Sequence, residues 1–167
     1  MKQKQYLIGN NIGANGASGL ASAFASCTNL QTLAIYLGYN QIEDKGASCL
    51  GSALVSCTNL SNLKIFLDGN NIGGSGILGL CSALASCTNL SNLTISFSGN
   101  KIGTIGASCL GSALANCIYL SNLVLDLQGN DISADGASGL GSALASYTYL
   151  SNLTISFLQK QLICFGL

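Results

Sequence analysis

Proline, tryptophan and histidine are absent from the 167 residues, methionine occurs once, and only 7% of side chains are charged. Without histidine the chain lacks the side chain most often used as a general base near neutral pH, and the commonest metal ligand. Six basic residues cancel six acidic ones, so no long-range field draws DNA, RNA or an anionic membrane, and nucleic acid is not an expected partner. Nowhere do eighteen apolar residues follow one another, and the apolar run near Met1 is too short for a signal peptide. These absences predict a soluble, intracellular and cytoplasmic protein without metal or cofactor. No linker interrupts the chain, which is long enough to bury a core as a single domain over residues 1–167.

What is present is repetition. Asn10, Asn40, Asn70, Asn100 and Asn130 stand thirty residues apart, as do Ile12, Ile42, Ile72, Ile102 and Ile132, continued by Leu162. Gly16, Gly46, Gly76, Gly106, Gly136 and Gly166 keep the same spacing, so five full units and a partial one are expected, with no clear caps. Before each Asn, apolar residues alternate with mostly polar ones, as in Leu33/Ile35/Leu37, Leu93/Ile95/Phe97 and Leu153/Ile155/Phe157. A period of two predicts a strand with one buried face, and Tyr6 to Ile8 is expected to form a shorter first strand. After each Gly the period changes: Leu50, Ala53, Leu54 and Cys57 fall at i, i+3, i+4 and i+7, a set repeated in every unit. That spacing predicts five amphipathic helices of about three turns.

Tandem strand-helix units force parallel strands with the helices as crossovers. Strands prefer about 4.8 Å between neighbours and helices about 8–10 Å, so the stack must bend with its strands inside. The predicted fold is an α/β solenoid, a horseshoe with parallel strands on the concave face and helices on the convex face.

Eight cysteines could signal a secreted disulfide scaffold, yet Cys27, Cys57, Cys87 and Cys117 recur at the repeat period and no Cys-x-x-Cys occurs. Equivalent positions on helices packed side by side exceed the roughly 7 Å Cα separation a disulfide tolerates, so reduced, buried thiols are expected.

The unit resembles the leucine-rich repeat family, in particular its ribonuclease-inhibitor-like class. The family core Leu-x-Leu-x-x-Asn-x-Leu is matched by Ile95-x-Phe97-x-x-Asn100-x-Ile102, and the downstream Gly-x-x-x-Leu-x-x-Ala-Leu by Gly106-x-x-x-Leu110-x-x-Ala113-Leu114. One departure is that the family's first Leu falls on Asn62, Asn92, Asn122 and Asn152, with Leu one residue later. The resemblance implies that Asn10, Asn40, Asn70, Asn100 and Asn130 form an internal structural ladder, and that a protein partner is recognised on the concave face.

No residue set suggests catalysis. Gly69 to Gly76 looks superficially like a phosphate loop, but related glycines recur in every unit with no Gly-Lys-Ser/Thr behind them, so turn and helix-start chemistry is the expected role. Scattered acids such as Glu43, Asp44, Asp131 and Asp135 are expected to be solvated loop charges. Glycosylation sequons at Asn59, Asn89, Asn92 and Asn152 arise from the repeat consensus. Cys164-Phe-Gly-Leu167 has the length and terminal Leu of a prenylation box, but Gly166 is in phase with the repeat and only Lys160 supplies nearby positive charge, so membrane contact is not expected unless Cys164 is prenylated. The apolar stretch 162–167 suggests end-to-end association. The outward strand positions vary most, and Tyr36, Tyr39, Lys64, Phe66, Asp68 and Asp126 are the candidate partner-binding residues, being the aromatic and charged side chains that dominate interfaces. The reading is a non-enzymatic protein-binding scaffold; the alternative is a structural component of a large cytoskeletal or ciliary assembly.

Overall fold

The structure, a computed structural model, describes residues 3–145 and 147–157. Lys2, Leu158, Lys160, Leu162, Cys164, Gly166 and the apolar stretch 162–167 lie outside the described residues. Strands and helices alternate along the chain: β1 (Gln3–Tyr6), α1 (Gly13–Ala25), β2 (Thr32–Tyr36), α2 (Glu43–Leu54), β3 (Asn62–Phe66), α3 (Gly74–Ser86), β4 (Asn92–Ser96), α4 (Gly103–Leu114), β5 (Asn122–Asp126), α5 (Ala134–Leu144) and β6 (Asn152–Ser156). The strands form one open parallel sheet in sequence order, and each residue pairs with its equivalent thirty positions on, as in Leu33↔Leu63 and Leu63↔Leu93. The molecule is a curved solenoid with the sheet on its inner wall and the helices on its outer wall.

In-register pairing turns each apolar repeat position into a column. Leu33, Leu63, Leu93 and Leu123 are buried, as are Ile35, Ile65, Ile95 and Leu125, and the helices close over them with Leu50, Leu80, Leu110 and Leu140. Full burial of such a side chain is worth about 2 kcal/mol, which holds together helices whose Gly, Ala and Ser content gives them little intrinsic stability.

Four expectations need correction. The first strand runs over Gln3–Tyr6 rather than from Tyr6 to Ile8, because the ladder with β2 starts at Gln3↔Leu33. The helices start about a turn ahead of the repeat glycines, so Gly46 and Gly76 lie inside the first turn. A Cβ on Gly76 would stand 2.8 Å from the Asp44 Cα of the preceding helix, so close helix approach, not a turn, requires glycine there. Asp44 is not a solvated charge: its carboxylate accepts from Gly73 N at 2.5 Å and from Ser75 Oγ at 2.8 Å. In β6 the inward positions are open, with Leu153 48% and Phe157 39% exposed, since no described strand lies beyond them.

The periodic cysteines have a structural role that their spacing alone does not reveal. The Cys57 thiol donates to the carbonyl of Phe24 at 3.7 Å, Cys87 to Leu54 at 3.9 Å and Cys117 to Leu84 at 3.4 Å, each at the C-terminal end of the preceding helix. Each of those carbonyls also accepts from the backbone N–H three residues on, at Cys27, Cys57 and Cys87, so the thiol of the next unit is a second, weak donor to it. Tyr147 replaces the thiol in the next unit, its hydroxyl donating to Leu114 O. Burial, with the neighbouring thiol second, pushes Cys87 up to about 11 and Cys117 up to about 12. The described cysteines are all unbridged.

Candidate functional site

The turn after each strand is closed by the asparagine column. Asn40, Asn70, Asn100 and Asn130 are buried. Asn100 Oδ1 accepts from Asn70 N at 3.0 Å and Ile72 N at 3.0 Å, while its Nδ2 donates to Leu67 O at 2.9 Å and Phe97 O at 2.8 Å. One amide thus satisfies four backbone groups in two successive units, and no buried side-chain nitrogen or oxygen among the described residues is unpartnered. Asn10 differs: it is exposed, and its amide donates to Ile8 O at 3.0 Å, with no earlier turn among the described residues.

A second amide column lies at the strand starts, where the sequence departs from the family pattern. Asn92 Nδ2 donates to Asn62 Oδ1 at 2.7 Å, Asn122 to Asn92 at 2.6 Å and Asn152 to Asn122 at 2.5 Å. Identical amides stacked at strand spacing can bond side chain to side chain, so Asn fits where Leu is expected. Leu63, Leu93 and Leu123, one residue later, point into the core.

Between these two polar seams lies the varied inner wall. Tyr36 and Phe66 are register partners on β2 and β3, and their rings stack with centroids 4.8 Å apart and planes 6° from parallel. Strand spacing of about 4.8 Å coincides with a stacking distance, so two in-register aromatics on parallel strands are pre-ordered at no further cost. Lys64 is exposed on the same strand face two residues before Phe66. Tyr39 is 65% exposed with φ of +58°, and its ring lies against Gly69, where any Cβ would collide with it. Asp68 is held in place: Ser96 Oγ donates to its Oδ1, and Ser98 N donates to the same oxygen at 3.0 Å.

Tyr36, Tyr39, Lys64, Phe66 and Asp68 therefore come together over β2, β3 and the turns that follow them. Asp126 does not join them. It stands on β5 with Ser96 of β4 between it and Phe66, and it accepts from Gln128 N at 3.1 Å. The sequence reading missed Ser96 and Ser98 as the pair that fixes Asp68; the available signal was a carboxylate followed one unit later by two hydroxyl residues.

Beside the wall, the loop edge holds a polar depression of about 500 Å³ lined by Glu43, Asp44, Lys45, Asn71 and Lys101. Among the described residues there is no cluster of three or more His, Cys, Asp or Glu that could hold a metal ion, and no helix is long and apolar enough to cross a membrane.

A family model described as Leucine Rich repeat matches residues 26–51, 89–111 and 120–141. Those stretches are leucine-rich repeats. Each matched stretch runs from a helix or turn across the strand or helix of a repeat described above, so the match and the geometry mark the same unit. The solved structure of "Leiomodin-1 Actin-Binding Site 2 (ABS2)" is similar in fold, with a TM-score of 0.60 and 18% sequence identity over 84% of this chain and 78% of that one. At that identity the likeness concerns the fold of the leucine-rich-repeat array alone. No curated protein matches the sequence.

Proposed function

We propose that this chain is a non-enzymatic scaffold that binds a protein partner on its concave strand face, with Tyr36, Tyr39, Lys64, Phe66 and Asp68 as the main contacts and Asp126 at the margin. The observation that carries the reading is the pre-stacked Tyr36–Phe66 pair flanked by an exposed amine and a hydrogen-bonded carboxylate. Rigid aromatics beside fixed charges lose little entropy on docking, and such residues concentrate binding energy. The subclass that best suits the thirty-residue unit with a full helix per repeat is the ribonuclease-inhibitor-like one. Unbridged thiols and a balanced charge support an intracellular setting without nucleic acid. The test is photo-crosslinking in the native cell with the reactive group placed at Phe66 or, for comparison, at the exposed outer-wall residue Val55. A protein captured at Phe66 and lost with Lys64→Ala supports the reading; equal capture at Val55 overturns it.

A second reading, a structural element of a cytoskeletal assembly, draws on the open β6 face with Leu153 and Phe157, and on the actin-binding site named for the similar structure. Co-sedimentation with filamentous actin that survives Phe66→Ala but not Leu153→Ser supports it; absence of co-sedimentation removes it.

A further inference from the structure

Helix-to-helix packing reuses one facing pair of positions down the stack. Ala21 of α1 and Cys49 of α2 line the same groove. A Cβ on Gly51 of α2 would overlap the Gly79 carbonyl of α3, and one on Gly111 of α4 would lie 3.0 Å from the Gly139 carbonyl of α5. The members of each pair are twenty-eight residues apart, and the pair that this spacing selects between α3 and α4 is Cys81 with Cys109. Cys109 is the neighbouring group that, after burial, acts on the Cys81 thiol. Cys81 is 5% exposed, and Cys109 is half-buried against the same core.

The geometric objection to disulfides applies to equivalent cysteines, which stand a full helix spacing apart. It does not apply to this pair, which occupies the two positions where neighbouring helix backbones elsewhere come close enough to require glycine; a disulfide needs Cα atoms about 4.4–6.8 Å apart. The other thiols are differently placed: Cys57, Cys87 and Cys117 point at backbone carbonyls, and Cys49 faces an alanine.

We propose that Cys81 and Cys109 are a modification site, a dithiol that a small-molecule disulfide such as oxidised glutathione converts into an intramolecular bond joining α3 to α4. Cys109, the more accessible thiol, loses its proton to water, and its sulfur attacks one sulfur of oxidised glutathione. The glutathione S–S bond breaks, a Cys109–glutathione disulfide forms, and one glutathione leaves as a thiolate that takes up a proton. Cys81 then loses its proton and attacks the Cys109 sulfur, releasing the second glutathione. Two electrons pass from the protein thiols to the oxidant, which ends as two glutathione thiols. Burial, with the neighbouring Cys109 thiol second, holds the Cys81 thiol well above its ordinary range, so the second step is slow near neutral pH and speeds up as pH rises.

The experiment is non-reducing peptide mass mapping of the full chain after exposure to oxidised glutathione and alkylation of remaining thiols. The expected main product links the Cys81 and Cys109 peptides with loss of two hydrogens, while Cys49 carries at most a glutathione adduct. In Cys81→Ser the adduct should stay on Cys109. In the unmodified sequence, a glutathione adduct that persists on Cys109 with Cys81 free, or a bond from Cys109 to any other cysteine or to a second chain, overturns the proposal. The same mapping in denaturing urea should scatter the linkages. An undiminished Cys81–Cys109 product there would also overturn it, because helix packing would then not be the cause.

Discussion

The heptapeptide Ser-Asn-Leu-Thr-Ile-Ser-Phe occurs twice, as Ser91–Phe97 and as Ser151–Phe157. Both copies form strands in the same sheet, β4 and β6. In the first, Leu93 and Phe97 are 1% and 0% exposed; in the second, Leu153 and Phe157 are 48% and 39% exposed. The strand is therefore encoded locally, by alternation and β-branching, whereas burial is conferred by neighbours on both sides. Repeat proteins divide their stability in this way, into terms within a unit and terms between units, and the interior copy collects both.

The sharpest way to break the comparison is to truncate the same residue in each copy. Phe97→Ala should cost about 4 kcal/mol of unfolding free energy, and Phe157→Ala under about 1 kcal/mol, by chemical denaturation. Equal losses would show that β6 is covered as fully as β4. The asparagine column supplies the next contrast. Asn100→Ala strands Asn70 N, Ile72 N, Leu67 O and Phe97 O, and should cost about 3 kcal/mol, against about 0.5 kcal/mol for the exposed Asn10→Ala. On the outer wall, Gly51→Val drives a side chain into the Gly79 carbonyl, with an expected loss of about 2 kcal/mol. Gly141→Val, at the equivalent position of α5 where a Cβ meets nothing within 4 Å, should be neutral to slightly stabilising, because valine has the higher helix propensity of the two.

Alkaline pH gives the smallest and most graded contrast. Cys87 and Cys117 are raised when folded, to about 11 and about 12, while unfolded thiols titrate near about 8.5. The unfolded chain thus loses protons first, so their contribution is fully present below the unfolded value and is lost as pH climbs through the folded ones. A denaturation series should show stability falling over that interval, and Cys87→Ala should lower the starting stability and flatten the fall.

Much of this architecture was legible in the sequence because the period is constant: a spacing of two before each Asn and of three and four after each Gly fixes strand, helix and parallel register. What stayed hidden depends on relations between units at spacings other than thirty. Asp44 bonds Gly73, twenty-nine residues on, and Asp68 bonds Ser96, twenty-eight residues on. The Cys81–Cys109 contact has the same offset, since helix neighbours are displaced along their axes relative to the strand register. The amides of Asn62 and Asn92 looked like a mismatch to the family pattern until the sheet stacked them into a column. The candidate site was legible as a set of varied outward positions, but not its division into a cluster on β2 and β3 and an outlying Asp126.

The asparagine column also has a direction. Asn40 Oδ1 accepts from Asn10 N at 2.9 Å and from Ile12 N at 3.3 Å, so the corner of one unit is completed by an acceptor that belongs to the next. A nascent chain leaving the ribosome N-terminus first therefore carries one corner permanently open until thirty more residues have emerged. Translation can build this stack only with a delay of one unit, and its most recently made corner is the point at which a chaperone would find backbone donors still exposed.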